Sequence, residues 1–276
     1  TIYIPSSKSI SNRMMIIRSL AGSDAPMENL SMSDDTAVMT RALNEESDTK
    51  DVGHAGTAMR FLTAYYAVSR EEVVLTGSSR LKERPMGPLV DALRDLGAGI
   101  TYLGREGCPP LKIIRRLTAG GKISVRGNIS SQFISALMMI GPVLEGGLHI
   151  TLTGEVVSVP YIRMTMELMN RCGAGASFKG NEIHIPRKDY IVEHMHVEAD
   201  WSAASYWYQI AALIPGSRLE LPHLSARSIQ GDSVAADLFR PLGVESHAGH
   251  GKLTLVSVEK EKPGLFRYDF SGCPDL

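Results

Sequence analysis

Apolar positions along this chain recur in one plan: a stretch with apolar residues three and four apart, then a glycine, then two short extended runs joined by a polar turn. The plan first shows at Pro88–Leu96, where Leu89, Val90, Ala92, Leu93 and Leu96 line a helical face. Gly97 follows, then Ile100–Leu103, the turn Gly104–Gly107, and Leu111–Ile114. A second copy runs through Met164–Cys172, Gly173, Ala176–Phe178, a Lys-Gly-Asn turn and Ile183–Ile185. A third runs through Val234–Leu242, Gly243, a turn at His247–Gly251 and Leu253–Val256. Each glycine sits where a helix end calls for a left-handed residue, and each turn carries the Gly or Asn that hairpins require. Val73–Thr76, Leu148–Leu152 and Arg218–Leu221 predict further strands between the copies. Gly97, Gly173 and Gly243 are 76 and 70 residues apart. That period is longer than a solenoid repeat and predicts a repeated α/β subdomain.

Composition narrows the class. A chain of 276 residues favours two domains. With 43% hydrophobic and 21% charged residues it is not extensively disordered. Lys plus Arg number 29 against 30 Asp plus Glu, a formal charge of -1, which speaks against a general nucleic-acid binder but leaves room for an anionic small substrate. The longest charge-free stretch, Gly127–Leu144, is interrupted by Ser130, Ser131, Gln132 and Pro142 and predicts no membrane span. Thr1–Pro5 lacks the basic-then-apolar plan of a signal peptide. Cys108, Cys172 and Cys273 lie far apart. They suit a reducing cytoplasm and form neither a disulfide framework nor a thiolate metal site. No linker or charge block divides the chain, so a domain boundary must be a short crossing.

Five polar clusters stand at predicted helix starts. Strand-like Ile2–Ile4 leads into Pro5–Arg13, a run of hydroxyls with Lys8 and Arg13 ahead of the apolar face Met14, Met15, Ile17 and Leu20. Free N–H groups and the positive dipole end favour an anion there, and arginine offers a planar fork for phosphate or carboxylate. This is not a Walker loop, because the Gly-x-x-x-x-Gly-Lys spacing is absent. In Gly53–Arg60 small residues admit close backbone approach, Thr57 can cap the following helix, and Arg60 opposes the helix dipole unless an anion is present. Arg80–Pro85 sets three cations ahead of a proline suited to a helix start, a pattern that taken alone is a solvated basic turn. Asn128–Phe133 opens a helix with Ser130, Ser131 and Gln132, of which a plain cap accounts for one. Ser158–Tyr161 again places hydroxyls before a helix. His194-x-His196 reads as surface rather than a metal site, no dinucleotide fingerprint follows a strand, and the paired methionines are core.

Taken in this order, Ser7–Arg13, Ser33–Asp35, Ala55–Arg60, Leu75–Gly77 with Lys82–Pro85, Ser130–Gln132, Ser158–Ile162, Asp200–Tyr206, Gln230–Asp232 and Asp269–Asp275 resemble the 5-enolpyruvylshikimate-3-phosphate synthase family. The resemblance implies a two-domain inside-out α/β barrel of repeated βαβαββ units, of the enolpyruvyl transferase type, with the second domain incomplete. Residues 9–198 would form the complete domain, three βαβαββ-like units that bind shikimate 3-phosphate, and 1–8 with 199–276 the incomplete one. The implied reaction moves the enolpyruvyl group of phosphoenolpyruvate to the 5-hydroxyl of shikimate 3-phosphate and releases phosphate. It needs no metal or organic cofactor, and the implied setting is a cytoplasmic monomer serving chorismate and aromatic amino acid synthesis. By the same resemblance Lys8 contacts both substrates, and Ser9 and Arg13 hold shikimate 3-phosphate. Ser130, Ser131 and Ser158 bind its phosphate, Tyr161 lines that pocket, and Gln132 lies between the substrates. Gly56 and Arg84, with His54 beside them, hold phosphoenolpyruvate. Asp275, directly after Pro274, touches shikimate 3-phosphate and accepts the proton, so Asp275 and Lys8 are the implied catalytic pair.

The chain departs from the family in having Ser6 for a usual Gly and His54 for a usual Asn, and its Asp35–His54 stretch is short. The family's later Glu, Lys and Arg groups have no counterpart before Leu276, so the expectation is a truncated chain without turnover of its own. The sister enzyme that acts on UDP-N-acetylglucosamine is disfavoured, because Ser130-Ser-Gln132 and Lys-Ser-x-Ser-Asn-Arg belong to the shikimate branch. A fragment that captures shikimate 3-phosphate without catalysis is the remaining alternative. Limited proteolysis should leave a core close to residues 9–198; preferential cutting inside 60–160 would refute that division.

Overall fold

The computed structural model describes residues 1–70, 72–261, 264–273 and 275–276. Its helices are α1 (Lys8–Leu20), α2 (Asp34–Asn44), α3 (Gly56–Ser69), α4 (Gly87–Asp95), α5 (Ser131–Ile140), α6 (Val159–Arg171), α7 (Trp201–Leu213) and α8 (Ala235–Phe239). Its strands are β1 (Met27–Glu28), β2 (Thr49–Asp51), β3 (Val73–Thr76), β4 (Gly99–Tyr102), β5 (Leu111–Arg115), β6 (Ala119–Arg126) and β7 (Glu145–Thr153). They continue with β8 (Ser177–Lys179), β9 (Glu182–Ile185), β10 (Met195–His196), β11 (Arg218–Pro222), β12 (Val244–Gly249) and β13 (Lys252–Ser257). The chain divides into two compact units. Unit 1 takes residues 1–8, 27–32 and 196–276; unit 2 takes 9–26 and 33–195.

Unit 2 contains one βαβαββ run twice. In β2-α3-β3-α4-β4-β5 the sheet order is β2-β3-β5-β4, and in β6-α5-β7-α6-β8-β9 it is β6-β7-β9-β8. The first two strands of each run are parallel and the others antiparallel. A parallel pair needs a crossover longer than a hairpin, which α3 and α5 supply. Helix α5 is apolar on every side, and Phe133, Ile134, Ala136, Leu137, Met138, Met139 and Ile140 are all buried, as expected of a helix enclosed by others. It packs against α3 and α6. Strand β9 alternates, with Ile183 and Ile185 inward and Glu182 and His184 outward. Its sheet therefore presents one face to these helices' core and one to solvent.

Unit 1 repeats the run from its first helix: α7-β11-α8-β12-β13, with sheet order β11-β13-β12, the last three strands of the same plan. Its core gathers Trp201, Ala204, Tyr208, Leu221, Val244, Leu253 and Leu255. Trp201 stacks on Tyr208 with centroids 6.0 Å apart and donates its indole N–H to the Ser225 carbonyl at 3.1 Å. Asp200 caps α7 by accepting from the Ala203 amide at 3.0 Å.

The three landmark glycines are left-handed, with φ of 110° at Gly97, 86° at Gly173 and 88° at Gly243. Other local expectations are corrected. Pro241 ends α8 at Phe239 and leaves a single 3-10 turn, Arg240–Leu242, before Gly243, because proline cannot extend the helix ladder. His247–Gly249 belong to β12 and pair with Lys252–Thr254, so the turn tightens to His250-Gly251. Helix α4 starts at Gly87 with Pro88 in its first turn, not at Pro85. Ile2–Ile4 forms no strand ladder, although the Ile2 amide donates to the Glu220 carbonyl at 2.8 Å.

One backbone contact constrains the second run. The β6–β7 register shifts between Ala119 and Gly121, and a Cβ on Gly120 would lie 1.6 Å from the Gly147 carbonyl oxygen. Gly120→Ala should therefore cost about 2–4 kcal/mol in denaturant unfolding. Gly121→Ala, whose nearest neighbour would be Leu96 Cδ2 at 3.7 Å, should stay within about 1 kcal/mol. Equal effects of the two would refute the close approach.

Candidate active site

In α1 the helical period stacks Ser9 and Arg13 on one face, and Arg13 Nη1 donates to the Ser9 carbonyl at 2.9 Å. Its Nε donates to Thr165 Oγ1 at 2.7 Å and its Nη2 to Ser135 Oγ at 3.2 Å. The guanidinium carbon lies 5.3 Å from the Phe61 ring centre and 5.5 Å from that of Tyr161. Arg13 is 2% exposed, and burial pushes its pKa down to about 10. No ion pair among the described residues involves it. Burying a cation costs several kcal/mol unless charge and hydrogen bonds offset it. Three of its five donors meet neutral protein oxygens, and the charge itself is unmatched.

A second pair of cations meets at the start of α3. A side chain on Gly56 would begin 2.0 Å from Arg84 Nη1 and 2.7 Å from Arg60 Nη1, so the missing Cβ is the space those guanidinia occupy. Ala55, in the cap position, makes no side-chain cap bond. Thr57 does not cap the helix; its hydroxyl accepts from Gln132 Nε2 at 3.2 Å, which joins the first turns of α3 and α5. The loops before α3 and after β3 are sewn together as well. The Ser78 amide donates to the Gly53 carbonyl at 2.9 Å, and Ser78 Oγ lies 2.8 Å from His54 Nδ1.

Helix α5 opens at Ser130, whose hydroxyl accepts from the Gln132 amide at 3.4 Å, and Ser131 is 8% exposed. At the start of α6 Ser158 is left-handed, φ 56°, and makes no side-chain cap bond. A non-glycine residue rarely adopts that conformation without a local reason. Tyr161 is half-buried, with its ring against Arg13.

Unit 2 thus brings Ser9, Arg13 and Tyr161 together, Gly56 with Arg84, and Gln132 with Thr57. Lys8 and Asp275 belong to unit 1, where both are exposed; Pro274 lies outside the described residues. Sequence reading missed Ser135, Thr165 and Phe61 as partners of Arg13. The available signal was spacing, since Thr165 follows Tyr161 by four and Ser135 follows Gln132 by three, but both sit inside apolar runs. Among the described residues no group of three or more His, Cys, Asp or Glu could hold a metal ion, and no helix is long and apolar enough to cross a membrane.

The N-terminal halves of α1, α3, α5 and α6 therefore meet, carrying arginines and hydroxyls on a repeated βαβαββ scaffold. Such a fold and site define an α/β protein suited to small polyanions. The pattern described as EPSP synthase (3-phosphoshikimate 1-carboxyvinyltransferase) matches residues 41–265, and the chain belongs to that family. It is 48% identical to a 3-phosphoshikimate 1-carboxyvinyltransferase of Bacteroides fragilis over 281 residues, 100% of this chain and 67% of that one. The corresponding Hamiltonella defensa protein is 39% identical, covering 100% of this chain and 70% of its own length. A solved EPSP synthase from Acinetobacter baumannii superposes with a TM-score of 0.76 at 19% identity, over 94% of this chain and 64% of that chain. That likeness carries the α/β enolpyruvyl transferase fold. The chain spans about two thirds of the length of these relatives.

The Gly56 geometry is testable. In Gly56→Ala the new methyl should displace the exposed end of Arg84 and also press on the buried Arg60 Nη1, 2.7 Å from that position. Thermal unfolding should come slightly earlier, by about 1 kcal/mol or less in stability, while phosphate binding, read by titration, should weaken about tenfold. Undiminished phosphate binding would take Arg84 out of the cradle.

Proposed function

We propose that this chain supplies the shikimate 3-phosphate site of an enzyme that transfers the enolpyruvyl group of phosphoenolpyruvate to the 5-hydroxyl of that substrate. The observation that carries the reading is Arg13: a buried guanidinium with unmatched charge, held by Ser9, Ser135 and Thr165 beside the Tyr161 ring. An anionic substrate group would match that charge. Ser130, Ser131 and Ser158, at the openings of α5 and α6, are the hydroxyls assigned to the phosphate. Gln132, bonded to Thr57 at the α3 opening, is assigned to the space between the two substrates. Gly56 and Arg84, with His54 beside them, are assigned to phosphoenolpyruvate.

In the proposed reaction the 5-hydroxyl oxygen bonds C2 of phosphoenolpyruvate while its proton passes to a base and the methylene carbon gains a proton. Loss of that carbon-bound proton, with departure of phosphate and the electron pair of its C–O bond, restores the double bond. Two polyanions must approach for this, and the fixed cations offset their repulsion. Asp275 as the base and Lys8 as the cation shared by both substrates are assigned by the family resemblance alone.

Calorimetric titration of this chain with shikimate 3-phosphate tests the reading. Binding should be measurable and should weaken tenfold or more in Arg13→Ala, because charged hydrogen bonds contribute about 1.5–3 kcal/mol each. UDP-N-acetylglucosamine should give no heat. No binding by the parent chain, or equal binding by a folded Arg13→Ala chain, would refute the assignment.

A further inference from the structure

Arg60 has no role in the function described above, yet its placement is costly. It is 4% exposed. Its Nη1 donates to the Gly56 carbonyl at 2.8 Å, its guanidinium carbon lies 5.2 Å from the Phe133 ring centre, and its buried Nε has no partner among the described residues. A carbonyl at that helical position accepts from the amide four residues on, so the Gly56 oxygen does not require the side chain.

Three effects oppose a cation here: desolvation, the positive end of α3, and Arg84, whose Nη1 closes on the same point beside Gly56. Burial and the Arg84 charge both depress its pKa, to about 10. No ion pair among the described residues involves Arg60 or Arg84. A residue kept only for stability would be apolar at this site: a side chain such as Met would cover Phe133 without the charge.

We infer that Arg60 is a positioning residue for an oxyanion, with its guanidinium behind Gly56 and Arg84 and its charge matched only when that cradle is filled. The inference rests on the cradle assigned above and adds that its affinity depends on a buried cation in the second turn of α3. The ligand chemistry is a multiply charged oxyanion, whether the phosphate of a phosphorylated enol acid or free phosphate. Arg60 acts through the α3 backbone, where its Nη1 donates to the Gly56 carbonyl, and through its charge; the direct contacts fall to Gly56 and Arg84.

The test uses the full chain with inorganic phosphate as probe, against chloride at matched ionic strength, in the parent, Arg60→Met and Arg60→Lys. Thermal unfolding without phosphate should be unchanged or later in Arg60→Met, because the substitution removes an unmatched buried charge and keeps an apolar stem over Phe133. Phosphate should raise the unfolding temperature of the parent and shift the Gly56–Met59 amide resonances. Both responses should weaken in Arg60→Met, with affinity down about tenfold or more, and Arg60→Lys should recover part of the loss. Phosphoenolpyruvate and phosphate titrated in parallel separate the two sources of the oxyanion. A clear fall in the unfolding temperature of Arg60→Met with the phosphate response intact would make Arg60 structural and overturn the inference, as would a parent that does not respond to phosphate. Shikimate 3-phosphate binding by the parent chain, measured alongside, judges the function reading separately: either can fail while the other stands.

Discussion

Unit 2 is organised around unmatched positive charge held inside protein. Arg13 is enclosed by Thr165, Ser135, the Ser9 carbonyl and the rings of Phe61 and Tyr161, and Arg60 is enclosed by α3 and Phe133. An isolated buried cation is among the most expensive groups a fold can carry. Here the expense is moderated by neutral oxygens and by aromatic faces, which attract a cation while leaving its charge uncompensated. Helices α1, α3, α5 and α6 must all be in place for Arg13 to have its partners. The polar centre and the apolar packing around it are therefore one structure.

The repeated run explains how four helix openings come together. In each βαβαββ run a helix crosses over between parallel strands. The crossover helices of the two runs, α3 and α5, pack on each other and join their first turns through Gln132 and Thr57. A helix opening leaves free amides and a positive dipole end. Placing several of them side by side creates a field that favours anions before any side chain is counted. Arg84, reaching Gly56 from the loop after β3, adds an exposed cation to a field already set by the backbone. Gly56 is required because the guanidinium occupies the space of its side chain, and not because of its backbone angles.

Polar groups left out of ladders and caps mark the same region. Ser158 holds a left-handed conformation at the opening of α6 with no cap bond from its side chain, and Ala55 stands at the opening of α3 where a capping side chain would be usual. Both openings forgo local stabilisation worth about 0.5–2 kcal/mol each. In unit 1, by contrast, Asp200 caps α7 in the ordinary way and Gln230 bonds the Ala199 carbonyl at 2.9 Å and the Trp201 amide at 3.1 Å.

The sequence by itself determined the local plan: the helix–glycine–hairpin period, the left-handed glycines, the strands at Val73, Leu148 and Arg218, and the polar clusters at helix openings. These depend on spacing within about a dozen residues, and periodicity reports such spacing directly. It misjudged Pro85, the turn at His247–Gly249 and the role of Thr57, because those outcomes depend on which neighbour a segment meets. Motif resemblance reached further and named Gly56, Arg84 and Arg13. Tertiary structure alone decided that Arg13 rests on Ser135 and Thr165, that Arg60 and Arg84 converge on Gly56, and that residues 27–32 group with unit 1. Those contacts join residues up to 152 positions apart in sequence. No local pattern encodes such a pairing: it is selected by how whole helices pack, and the charge left unmatched is a property of the packed state.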